Sequence, residues 1–109
     1  SRIEFAQGEY DLLPSSFPEL ENVIKVMQKY PKMEILLEGH TDNTGSPSKN
    51  MTLSYKRVVT VKNYICEFGG LSENRVKVEA FGETKPIAPN NNETNKKKNR
   101  RVEMKVLKL

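Results

Sequence analysis

The chain has 109 residues, a length that accommodates one domain around a single modest core. Apolar residues make up 36% of it, and no apolar run approaches the roughly 20 residues that a membrane-crossing helix needs. The lone cysteine, Cys66, excludes an internal disulfide framework and a cysteine-rich zinc site.

The net charge of +4 conceals an asymmetry: residues 1–50 carry five Lys/Arg against eight Asp/Glu, whereas residues 51–109 carry thirteen against six. A basic second half admits an anionic polymer as partner, although charge speaks to partners and not to fold. No charged segment followed by an apolar one opens the chain, so no targeting peptide is visible. The abrupt entry into pattern at Ser1 suggests a piece of a longer protein.

Ile3 and Phe5 flank Glu4 with period two, which predicts a short first strand near residues 2–6. Ser16 and Glu19 stand at capping-box spacing and predict a helix over residues 16–30. Its apolar stripe is Leu20, Val23, Ile24, Met27 and Tyr30, and Pro31 ends it. A mostly apolar run predicts a second strand over residues 33–39. It runs into His40-Thr41-Asp42-Asn43-Thr44-Gly45-Ser46-Pro47, a loop at a strand's carboxyl end, where α/β sheets usually expose their working residues.

The next helix is expected over residues 51–68, capped by Asn50 or Thr52 and stopped by Gly69-Gly70. Projected at about 100° per residue, Leu53, Val61, Tyr64, Ile65 and Phe68 share a face with Arg57 in its middle. Asn50 and Ser54 flank the arginine there. A permanent cation on the apolar side must snorkel to water or meet an anion, which makes that end of the stripe a candidate pocket. Alternation predicts a third strand over residues 75–81 and a fourth over residues 100–107. Between them lies a long polar loop, 82–99, with one helical turn expected near Glu93 to Lys98.

Three chemistries compete for these residues. His40, Asp42 and Ser54 or Cys66 invite a nucleophile-and-base reading, but no Gly-x-Ser-x-Gly elbow is present and Cys66 projects away from Arg57. One histidine and one loop aspartate are also too few for a transition-metal site, so neither a metal nor a cofactor is expected. Lys96 to Arg101 carries five cations in six residues, as a nucleic-acid-binding arm does, yet no aromatic residue is interleaved to stack bases. Asp42 and Arg57 carry most weight: a loop carboxylate and an inward guanidinium, either bridging each other or forming a ligand site. The second alternative suits a ligand bearing both an ammonium and a carboxylate.

Gly39-His40-Thr41-Asp42-Asn43-Thr44-Gly45, Asn50-x-x-Leu53-Ser54-x-x-Arg57, Gly82-Glu83-x-x-Pro86 and Asn99-Arg100-Arg101-Val102-Glu103 together resemble the OmpA-like carboxy-terminal domain family. The resemblance spans nearly the whole chain and implies one domain over residues 1–109. The implied fold is an α/β sandwich, β/α/β/α/β, with helices packed on a mixed four-stranded sheet.

The implied function is non-catalytic binding of peptidoglycan in the periplasm of a diderm bacterium. It would anchor an outer-membrane or envelope protein to the wall, with any membrane attachment lying in another part of the parent protein. Asp42 and Arg57 match the pair that holds the zwitterionic end of meso-diaminopimelate in the stem peptide. Asn50 would shape the pocket, Thr44 would line the loop, and Arg100 or Arg101 would brace the site. The strand pattern turns Arg100 toward the helices, on the face of Val102 and Met104. A homodimer stays open, and the rival readings are a nucleic-acid module using Lys96 to Arg101 and a wall-acting hydrolase. The chain departs from the family pattern at Val58 and, in the last loop, at Asn92, Asn95 and Lys96.

Overall fold

A computed structural model describes residues 2–109. The elements in chain order are β1 (Arg2–Glu4), α1 (Phe17–Lys29), β2 (Glu34–Gly39), α2 (Pro47–Gly69), β3 (Val76–Ala80), α3 (Glu93–Asn99) and β4 (Arg101–Lys108). The sheet order is β1-β4-β2-β3, with β2 and β3 parallel and the other pairs antiparallel. This is the expected mixed four-stranded sheet, with α1 and α2 covering one face.

Ile35 and Leu37 of β2, Val76 of β3 and Val102 of β4 meet Leu20, Ile24 and Met27 of α1 and Val58, Val61 and Ile65 of α2 in one buried cluster. Period two on the strands and period 3.6 on the helices put these residues on facing surfaces. The outer face of the sheet is polar, with Glu38 and Lys105 paired across β2 and β4 at 2.9 Å.

Several boundaries differ from the sequence expectation. Ser16 already has helical backbone angles, φ −78° and ψ −26°, and makes no side-chain capping bond. A 3₁₀ turn over Pro14–Ser16 leads straight into α1, so the extended geometry that a capping box needs is missing. Tyr30 follows the last helical residue and is 44% exposed, because the residue before a proline is driven out of the α region.

The second helix begins four residues before the expected start. Ser46 is its cap, accepting from the Lys49 amide at 3.3 Å, and Pro47 occupies the first turn, where its missing N–H is no loss. The early start releases the Asn50 side chain for tertiary contacts. Val58, not Phe68, belongs to the buried face; Phe68 is 67% exposed and lies against the Tyr64 ring. The expected turn near Glu93 is the full two-turn helix α3.

Gly39 brings β2 and α2 close together: a Cβ there would lie 2.3 Å from the Ser54 carbonyl oxygen. This approach carries the loop after β2 over the first turns of α2, where the site lies.

Candidate functional site

Four segments converge at the carboxyl end of β2: the loop after β1, the loop 40–46, the start of α2, and the α3–β4 junction. Ser54 of α2 holds the loop after β3, and that loop holds the loop 40–46. Its hydroxyl donates to Met51 O at 2.8 Å and accepts from the Gly82 amide at 2.9 Å, while the Thr41 amide bonds Gly82 O.

Arg57 is wholly buried. Its Nε donates to Glu9 O at 2.8 Å, Nη1 to His40 O at 2.9 Å and Nη2 to Ala6 O at 3.0 Å, and the guanidinium lies 5.1 Å from the Phe5 ring centre. The inward cation read from helical periodicity therefore stitches the loop after β1 to the end of β2. Burial pulls its pKa down to about 10, with Asp42 opposing the shift. Three charge-assisted bonds to carbonyls replace the hydration that it has lost.

Asp42 makes its direct ion pair with Arg100 and not with Arg57. Arg100 Nη1 lies 3.1 Å from Asp42 Oδ2, and both side chains are only 5% exposed. Asp42 Oδ1 accepts the Thr44 amide at 2.9 Å. Burial works against ionisation of Asp42, but the Thr44 amide and the Arg100 guanidinium outweigh it and hold the carboxyl below its ordinary range. The bridging alternative thus involves a different arginine from the one expected.

Asn50 donates to Asp42 O at 3.3 Å and to Glu83 Oε1 at 2.9 Å, joining the loop after β2 to the loop after β3. Thr44 is exposed, and its hydroxyl receives Lys96 Nζ at 3.4 Å. The structure thereby gathers Asp42, Thr44, Asn50 and Arg100 in one place, with Arg57 beneath them.

Arg101 is not among them. It faces the other side of the sheet, donating to Glu103 Oε2, Asn99 O and Lys85 O. Strand alternation explains the parting of the neighbouring arginines.

Two contributors escaped the sequence reading. Glu83 stands within a motif that marks no role for it, and Glu93 is one polar residue among many in the 82–99 segment. In the structure Glu93 Oε2 accepts Arg100 Nη2 at 2.5 Å, and Oε1 lies 3.5 Å from Nη1. Their spacing of seven residues, two helical turns, was the available signal, hidden in a segment read mostly as loop.

The rival chemistries find less here. Ser54 is committed to backbone partners, and the buried His40 ring stacks on Phe81 at 5.4 Å with Nδ1 unbonded. Burial, with Arg101 nearby, lowers the His40 pKa to about 4, so it is neutral at ordinary pH. Among the described residues no group of three or more His, Cys, Asp or Glu is placed to hold a metal ion. The cationic run is divided, with Arg100 and Arg101 buried in ion pairs and Lys97 and Lys98 exposed on α3. No described helix is long and apolar enough to cross a membrane.

The OmpA family model matches residues 4–100. Outer membrane porin F of Pseudomonas aeruginosa is 33% identical over 104 residues, covering 95% of this chain and 30% of the porin. The peptidoglycan-binding protein ArfA of Mycobacterium tuberculosis is 32% identical over 104 residues, covering 95% of this chain and 32% of that protein. The chain thus spans about a third of the length of these two relatives. In fold, the peptidoglycan-associated lipoprotein of Burkholderia pseudomallei superposes with a TM-score of 0.91 at 23% identity, covering 96% of this chain and 88% of that one. With the family model matching residues 4–100, nearly the full length, this chain belongs to the OmpA family.

Proposed function

We propose that this domain binds peptidoglycan without catalysis and anchors an envelope protein to the cell wall from the periplasmic side of an outer membrane. The ligand is the meso-diaminopimelate of the stem peptide. Its ammonium is taken by Asp42 and its carboxylate by the positive field of Arg57 and Arg100, with Asn50 and Thr44 shaping the loop around them.

One observation carries this reading: a buried carboxylate, kept ionised, lies against one buried guanidinium and in electrostatic reach of a second. An anion and two cations at one recess match a group that carries an ammonium and a carboxylate on one carbon. Charge-assisted bonds of this kind contribute about 1.5–3 kcal/mol each, enough for weak capture of one stem peptide. Firm attachment then follows from many copies on one sacculus.

Co-sedimentation with purified sacculi tests the reading. Asp42→Ala is expected to stay in the supernatant while its circular dichroism matches the parent. A variant that pellets like the parent refutes the assignment. Walls built with lysine in place of diaminopimelate lack the distal carboxylate and are expected to retain little protein.

A further inference from the structure

Arg100 is a buried cation whose donors are shared between three partners. Nε is held by Phe5 O at 3.1 Å and Nη1 by Asp42 Oδ2 at 3.1 Å. The Nη1/Nη2 edge, the planar fork that fits a carboxylate, is occupied by both oxygens of Glu93. The Arg100 and Asp42 side chains are each 5% exposed, whereas that of Glu93 is 69% exposed. A solvent-reached carboxylate therefore closes the fork of a recessed guanidinium, beside the aspartate already assigned to an ammonium.

We propose that Glu93 is an internal stand-in for the ligand's carboxylate, which must displace it from Arg100 to bind. This rests on the peptidoglycan reading above and deepens it. The ligand end that fits is a free α-amino acid, because its ammonium and carboxylate sit on one carbon just as Asp42 and the Arg100 fork sit on one hydrogen-bonded pair.

The geometry favours displacement of Glu93 over displacement of Asp42. Asp42 is held by the Thr44 amide as well as by Arg100, and its loop is tied to Asn50. Glu93 begins a seven-residue helix, and its carboxylate has Arg100 as its hydrogen-bond partner. The side chain can swing into water and be hydrated there at little loss. The helix keeps a second tie to the site through Lys96 and Thr44, so α3 loosens without leaving.

Glu93 therefore sets the affinity of the site by competition: removing its charge makes binding tighter, the opposite of what losing a contact residue does. The experiment is an amide-shift titration of the parent and three variants, Glu93→Gln, Asp42→Ala and Glu73→Gln. The probes are meso-diaminopimelic acid and the same compound amidated at both carboxylates with its ammonium groups retained. Glu73 lies in the turn before β3, at the far end of the sheet, and controls for net charge.

Glu93→Gln is expected to bind the acid about fivefold more tightly, as loss of one exposed competitor on a charged partner implies. The diamide, which offers no carboxylate to the Arg100 fork, is expected to gain nothing, and Glu73→Gln to match the parent. Ligand-saturated parent is expected to show faster hydrogen exchange over residues 93–99. Unchanged or weaker binding by Glu93→Gln, with Asp42→Ala still defective, overturns the stand-in and leaves the site reading intact. Normal binding by Asp42→Ala removes the site reading and the stand-in with it.

Discussion

Arg57 and Arg100 are both buried guanidinium groups in reach of Asp42, yet Arg57 is bonded to three backbone carbonyls and Arg100 to one carbonyl and two carboxylates. The difference follows from where each sits. Arg57 lies in the middle of a long helix face pressed against the sheet, where only main-chain acceptors of crossing loops can reach it. Arg100 lies at the junction of α3 and β4, where side chains from the loop 40–46 and from α3 approach and solvent reaches one of them. A carbonyl cannot leave without unfolding its loop, whereas a carboxylate can be exchanged for another. The inner arginine is therefore a floor, and the outer one carries the exchangeable pair that the proposed site would use.

The contrast breaks if the two arginines respond alike to substitution. Arg57→Ala is expected to destabilise the domain by about 4 kcal/mol in urea unfolding, since three backbone carbonyls, that of His40 buried, lose their donor and a fully buried side chain is removed. Arg57→Lys is expected to recover only part of this, because an ammonium lacks the fork that spans Ala6, Glu9 and His40. Equal stability of Arg57→Ala and the parent would refute the floor role.

His40, whose carbonyl Arg57 holds, supplies a pH test of the same region. Its folded pKa is lowered from 6.5 to about 4, so the unfolded chain takes up a proton in that interval while the folded chain does not. Stability is therefore expected to fall by about 3 kcal/mol as pH drops from 6.5 to about 4, and to flatten with respect to this group below that. Unfolding free energies of the parent and His40→Phe across the interval check it: the variant is expected to lose that component of the slope.

At the outer arginine, Arg100→Ala is expected to lower stability by about 2 kcal/mol, less than Arg57→Ala, because Asp42 keeps the Thr44 amide and the exposed Glu93 is rehydrated. Sacculus binding is expected to fall about tenfold or more in the same variant. Ser46→Ala removes the cap of α2 and is expected to destabilise by about 1 kcal/mol with binding unchanged, the smallest effect in the series.

Most of the architecture was legible because it rests on periodicity. The alternation in Val76–Ala80 and Val102–Val106, and the 3.6-residue recurrence of Leu20, Ile24 and Met27, state which faces are buried whatever their neighbours are. Boundaries were less legible. The start of α2 at Pro47 was missed because Asn50 resembles a cap in isolation, and only the folded chain shows its amide employed between Asp42 and Glu83. Angle alone places Phe68 in the core, yet it is 67% exposed in an open groove beside Glu21, Lys25 and Gln28 of α1.

In the site, the sequence by itself determined that a carboxylate would follow β2, that a cation would face inward from α2, and that Arg100 and Arg101 would part to opposite faces. These are consequences of short-range geometry along one strand or helix. Which cation pairs with Asp42 was decided by tertiary structure alone, because the partners are 58 residues apart. The same holds for the carbonyls that receive Arg57, since loop carbonyls carry no side-chain signature and their direction exists only once β1, β2 and α2 are packed together.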